Sequence, residues 1–214
     1  TSGAGNTAVG RDSMGATTTG ANNVAVGKSA LYANTTGASN TAVGTNALQA
    51  SNNTAVGKDA LRANTTGAQN TAVGHLSGAT NTTGTDNAFF GRQSAYVNST
   101  GSYNTGIGTY TLLANTTASN NTAVGWRAAA SNTTGGQNTA IGTGAAEKLT
   151  TGSDNVIIGY VAGAHDVYLT TGAGNVIIGN YADTTAADSA FANVMGYNVS
   201  GAGGYTTLGQ AGSD

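Results

Sequence analysis

Side chains able to do chemistry are scarce in this sequence, and their types and spacing narrow what that chemistry can be. Catalysis needs a positioned acid, base or nucleophile with an orienting partner. Glu147 is the sole glutamate among nine acidic residues, and the aspartates are spread along the chain. Asp12 and Asp59 hold matching places beside Arg11 and Lys58, which reads as surface charge. A zinc site needs about four clustered ligands. His75 and His165 are the only histidines and there is no cysteine, so both read as surface residues and no metal ligand is assigned. Gly106-Ile107-Gly108 imitates the start of a dinucleotide fingerprint, but Thr111 stands where the third glycine belongs and no helix is expected after it. No catalytic and no cofactor-binding residue is assigned. Sequons such as Asn34-Thr35-Thr36 and Asn98-Ser99-Thr100 follow from composition. What remains is the position after the recurring glycine, which is expected to point outward and carries the longest side chains. Arg11, Lys28, Lys58, His75 and Arg92 give way to Trp126, Tyr160 and Tyr197. Flat rings with polar edges suit sugars, so Trp126, Tyr160 and Tyr197 form a candidate glycan-contact strip. The plainer alternative is a solvated face with scattered aromatics.

These residues are placed by a repeat. Asn6-Thr7-Ala8-Val9-Gly10 sets the pattern, and its closing glycine returns twelve more times, ending at Gly196 and Gly209. Most steps are 17 residues; Gly44 to Gly57 and Gly196 to Gly209 are 13, and Gly159 to Gly179 is 20. The 13-residue step at Gly44 lacks the Asn34-Thr35-Thr36-Gly37 segment that reappears at Asn64 and Asn81, so that segment reads as a dispensable loop. Each unit then reads as a short strand, a glycine turn, a second strand at Ala30-Leu31, Ala47-Leu48 or Ala60-Leu61, and a Thr-Thr-Gly turn. Helices are excluded because a glycine interrupts nearly every stretch of about ten residues. Units this small cannot bury a face alone and must stack at about 4.8 Å. The expectation is an all-β parallel solenoid of about 13 short rungs, roughly 60 Å long. Residues 1–191 form the repeat domain, and residues 192–214, where Ala192 and Tyr205 replace the asparagine, are degenerate capping repeats.

Composition agrees. Only 7% of residues are charged, the formal net charge is −2, and 34 of 214 residues are glycine, with no proline. Disorder normally carries high net charge. Seven scattered basic residues make no patch for nucleic acid. No apolar run approaches about 18 residues and no charged-then-apolar leader opens the chain, so neither membrane insertion nor a signal peptide is expected.

The residue before each glycine is always apolar (Val9, Val26, Val43 and onward to Met195 and Leu208), which marks it as the core column. The residue before that must face the opposite way, and it too is mostly apolar, chiefly Ala8, Ala25, Ala42 and their successors. A strand apolar on both faces is buried on both. A thin roll covers one face, so the alanine face is expected against copies of the same chain; a wider single-chain solenoid with overfolded loops is the alternative. The asparagine four places before each glycine, from Asn6 to Asn175, is expected to form a hydrogen-bonded ladder.

The Asn-x-Ala-Val-Gly blocks with a following Ala-Leu resemble the head repeats of trimeric autotransporter adhesins and, more closely, repeats of phage tail fibres and related bacterial surface proteins. The resemblance covers almost the whole chain, although the 17-residue unit is longer than the adhesin-head repeat. It implies a left-handed β-roll wound as a homotrimer, no cofactor, an extracellular or virion-surface location, and attachment to a host or cell surface through a glycan or protein receptor. The ending Gly212-Ser213-Asp214 resembles the junction before a self-cleaving chaperone domain. Two other functions compete. An ice-binding solenoid is suggested by the column Thr7, Thr41, Thr54, Thr71, Thr105, Thr122 and Thr139, although it is broken by Val24, Ala88, Val156 and Val176 and shares the face expected to be core. A depolymerase would need paired carboxylates, so an enzyme is not expected.

Overall fold

The structure is a computed structural model, described for residues 3–48 and 52–209. The Gly212-Ser213-Asp214 ending lies outside the described residues. Strand triplets recur once per repeat: β1 (Thr7–Val9), β2 (Val24–Val26), β3 (Thr41–Val43), β4 (Thr54–Val56), β5 (Thr71–Val73), β6 (Ala88–Phe90), β7 (Thr105–Ile107), β8 (Thr122–Val124), β9 (Thr139–Ile141), β10 (Val156–Ile158) and β11 (Val176–Ile178). Near the end, β12 (Asp183–Thr184), β13 (Asn193–Met195), β14 (Ser200–Gly201) and β15 (Thr206–Leu208) follow. Eleven triplets plus β13 and β15 form one 13-stranded parallel sheet in chain order, and β12 pairs with β14 beside it. Register is strict, with Ala55 opposite Ala72 and Val56 opposite Val73. The chain is therefore an all-β parallel solenoid of about twelve turns, without helix among the described residues.

The anchor glycines close each strand at positive φ and leave room for the next rung. Gly74 has φ 134°, and a Cβ there would lie 2.5 Å from the carbonyl oxygen of Gly91.

The two apolar columns occupy the opposite faces to those read from the sequence. Ala25, Ala42, Ala55, Ala72, Ala123 and Ala140 are buried inside the roll, whereas Val9 is 56% and Ile107 44% exposed on the outer face. The cause is size. The roll is narrow, and its opposite wall supplies Leu31, Leu48, Leu61 and Leu112, all fully buried. Where the inward column enlarges, a neighbour shrinks: a Cβ on Gly78 would sit 3.0 Å from the Phe89 ring and 3.0 Å from Leu61. The Gly106 of the false fingerprint makes room for two hydroxyls, because a Cβ there would lie 2.6 Å from Ser94 Oγ and 3.0 Å from Thr111 Oγ1. Beside Ile157 and Ile177 stands Gly163, whose φ of 64° rather than lack of space favours glycine.

At Ala30-Leu31, Ala47-Leu48 and Ala60-Leu61 the expected second strand is a series of turns, and a short strand pair forms at the equivalent place in β12 and β14. Ser29 and Leu31 have φ 55° and 54°, and Leu48, Leu61 and Leu112 repeat the pattern. Leucine in this region costs about 1–2 kcal/mol, which burial of its side chain, worth about 1.5–3 kcal/mol, offsets. The alternation also sends successive donors in opposite directions. The Ser29 N–H bonds back to Arg11 O (2.9 Å), and the Leu31 N–H bonds forward to Ala47 O (2.9 Å).

The asparagine ladder is present. Asn23 donates its backbone N–H to Asn6 Oδ1 (2.9 Å) and its Nδ2 to Gly37 O (3.0 Å), and the series runs to Asn175, whose Oδ1 accepts the Ala192 N–H. The Asn-Thr-Thr-Gly segment is more than a loop, because its asparagine builds a second buried ladder. Asn98 Nδ2 donates to Asn81 Oδ1 (2.8 Å) and to Gly101 O (2.9 Å), and Asn115 Nδ2 donates to Asn98 Oδ1 (2.7 Å). The ladder ends at Asn132, above which Leu149 and Leu169 take the equivalent interior place.

Candidate ligand-contact surfaces

Two surfaces stand out. The first is the outer face of the long sheet. Each triplet contributes two outward residues and one inward one, because side chains alternate. The outward pair is the threonine column and the Val/Ile column. Thr41, Thr54, Thr71, Thr105, Thr122 and Thr139 are partly exposed, and so are the hydrophobic residues beside them. The threonines are therefore not buried with the core, as the sequence pattern implied; they share a face with the Val/Ile column, and that face looks outward.

The second surface is an aromatic corner late in the chain. Tyr160 and Tyr197 come together there, joined by Tyr181, a residue the sequence reading missed. The Tyr160 and Tyr181 ring centroids lie 5.2 Å apart at 85°, and those of Tyr181 and Tyr197 lie 6.0 Å apart at 84°. Each rung pins the next: the Tyr181 N–H donates to Tyr160 O (2.9 Å), and the Tyr160 N–H donates to Asn180 Oδ1 (2.9 Å). Tyr181 stands one residue later in its rung than its neighbours, behind Asn180, so a search of one column passes over it. Burial, with Tyr160 and Tyr197 beside it, pushes the Tyr181 phenol above its ordinary value.

Trp126 does not join this group. Its ring lies under the Arg127 guanidinium at 5.3 Å, and Arg127 is held by Glu147 through Nη2–Oε1 (2.8 Å). The three strip residues are all exposed, but the structure brings only Tyr160 and Tyr197 together.

His165 is half-buried rather than a plain surface residue. Its ring lies 4.6 Å from that of Tyr181. It belongs to the 20-residue rung, whose added segment is held by Asp183. Asp183 Oδ2 accepts the N–H groups of His165 (3.1 Å), Asp166 (2.9 Å) and Val167 (2.9 Å), and Oδ1 accepts that of Thr184 (2.9 Å). Asp183 is fully buried at the interior position that other rungs give to Leu31 or Leu61. Burial raises its carboxyl above the ordinary carboxylate value, and the four N–H donors pull it down by less. The signal for this arrangement was legible: the one step of 20 residues is followed, four places past the next anchor glycine, by an aspartate.

Other charged residues fall into two groups. Asp12 is exposed and pairs with Arg11 (3.3 Å), whereas Asp59, read as a surface charge, is buried and accepts a bond from Asn46 Nδ2 (3.2 Å). The register that stacks Gly57 on Gly44 sets the Asp59 carboxylate over the Asn46 amide. His75 is exposed. Among the described residues no three His, Cys, Asp or Glu side chains gather to hold a metal.

No family model, curated protein or solved structure matches this chain. Function has to be argued from these two surfaces.

Proposed function

We propose that this chain is a structural and adhesive fibre segment, of the kind found in phage tail fibres and trimeric surface adhesins, working outside a cell or on a virion surface. The observation that carries the reading is the outer sheet face. Thirteen strands at about 4.8 Å carry a Val/Ile-rich column about 60 Å long beside a threonine-rich one, and the apolar column is exposed or partly exposed along its length, from Val9 at 56% to Leu208 at 65%. Its regular register gives every rung the same partner requirement, which copies of the same chain meet along its full length. The homotrimer and the left-handed winding come from the resemblance; the uncovered face supports burial between copies. In this assembly the threonine and Val/Ile columns meet around the axis, and the corners with their long side chains face outward to a receptor. The segment is non-catalytic in this reading.

Light scattering of the purified chain tests it. A mass three times that of the chain is expected, and a stable monomer at micromolar concentration sinks the fibre reading.

A second reading has one observation in its favour. Partly exposed threonines repeat once per rung in a regular register, and the burial that counted against an ice-binding array is removed. Valine and alanine interrupt the array at Val24, Ala88, Val156 and Val176. Thermal hysteresis in a monomeric preparation supports this reading; freezing at the buffer control temperature ends it.

A further inference from the structure

The rung between Gly159 and Gly179 is where the described repeat gains residues instead of losing them. Its added segment is held by a carboxylate placed in an apolar interior, a costly arrangement unless its acceptor oxygens are satisfied. Sites where a sequence breaks its own local rule are the expected places for function. This break coincides with the clustering of aromatic rings.

We infer that the corner formed by Tyr160, Tyr181, Tyr197 and His165 is a binding site for a neutral carbohydrate. The inference deepens the attachment reading and rests on it. The rings meet edge to face, at 85° and 84°, so none is stacked flat on its neighbour. Tyr160 and Tyr197 are exposed, and a phenolic hydroxyl can both donate and accept. An aromatic body with a hydrogen-bonding edge is the surface a pyranose ring uses.

Charge selects the class of sugar. All seven Lys and Arg residues lie at or before Lys148; the sequence after it holds five aspartates and no Lys or Arg. The nearest cations in sequence are also engaged, Lys148 with Glu147 (3.4 Å) and Arg127 with Glu147 (2.8 Å). Beside the rings, Asp166 lies 3.2 Å from His165 Nδ1. A sialylated, sulfated or phosphorylated ligand would meet the Asp166 carboxylate at this corner, while Lys148, the cation beside the added segment at 6.0 Å over the Tyr168 ring, is already paired with Glu147. A neutral hexose oligomer meets no such penalty.

The test is binding of the full chain to an array of neutral gluco-, galacto- and manno-configured oligosaccharides, with sialylated and sulfated ones alongside. At least one neutral oligosaccharide is expected to bind. Tyr181→Ala and Tyr160→Ala are expected to weaken binding about tenfold, and Trp126→Ala to leave it unchanged. Tyr181→Phe keeps the ring and is expected to retain most of the binding, which guards against a folding defect in the alanine variant. Binding confined to charged glycans, binding untouched by the tyrosine-to-alanine changes, or no binding by a chain with native melting behaviour overturns the site. Whole-cell adsorption separates the two levels. Adsorption that persists after Tyr181→Ala overturns the site and spares the attachment reading, whereas a monomeric chain that adsorbs to no cell overturns both.

Discussion

Asn132 ends the second asparagine ladder with a buried Oδ1 that has no hydrogen-bond partner. The next rung offers Leu149 where an amide would stand, so the orphan has a definite cause. A contrast between two identical substitutions follows. Asn98→Leu removes the donor to Asn81 and the acceptor for Asn115, and is expected to lower stability by about 3 kcal/mol in chemical denaturation. Asn132→Leu loses one ladder bond and shifts the orphaned acceptor to Asn115 Oδ1 without adding a second, and is expected to cost less by about 1–2 kcal/mol. Equal costs would show that the ladder does not act through its buried amides. Gly74→Ala meets both a positive φ and the Gly91 carbonyl, so a loss of about 3 kcal/mol is expected. Asp183 gives a pH dependence. Its folded carboxyl is raised, so the folded chain holds the proton more tightly than the unfolded one. Its contribution to stability is greatest below the ordinary carboxylate range, declines as pH rises through the raised value, and is level above it. Melting temperatures of the native chain and Asp183→Asn across that window should differ in slope, and parallel curves would refute the assignment.

A strand triplet is the smallest unit that fixes direction, and within it neighbouring residues carry opposite consequences. Ala123 faces the narrow interior, so Ala123→Leu is expected to overpack it and cost about 2–3 kcal/mol. Val124 faces outward. Val124→Lys is expected to leave the β-sheet circular dichroism in place while lowering the mass to that of a monomer. If the lysine variant unfolds and the leucine variant does not, the inward and outward columns have been exchanged. The periodicity of these elements was legible in the sequence, as were the first strand of each unit and the first asparagine ladder. Which apolar column faces inward was not, since both satisfy a hydrophobic pattern and only the width of the roll distinguishes them. The turns at Ala30-Leu31 were hidden for a related reason: positive φ at a leucine is unfavourable locally and is sustained only by burial against the facing wall.

The whole molecule behaves as a one-dimensional stack, because each rung bonds chiefly to its neighbours. Removing residues 109–125 joins Gly108 to Trp126 in register and reconnects Asn98 with Asn132 across one step. The shortened chain is expected to fold, with a melting temperature a few degrees lower, whereas a deletion of about half that length is expected to misplace every following column and abolish cooperative unfolding. Over the same length the charge changes character, from basic residues at the corners of the early rungs to tyrosines over an acidic background in the late ones.

Spacing alone determined the stack: a glycine returning at 17-residue steps, with an apolar triplet before it and an asparagine ahead of that, admits a parallel solenoid and little else. The same linear order also held the location of the irregular rung and the drift from cations to aromatics. Only the tertiary structure decided which face is inside, that Tyr181 bridges Tyr160 and Tyr197, and that Asp183 reaches into the rung below to hold its added segment. The reason is geometric. Period and composition are properties of the chain taken along its length, but the width of the interior and the meeting of side chains between rungs arise only once the turns have closed.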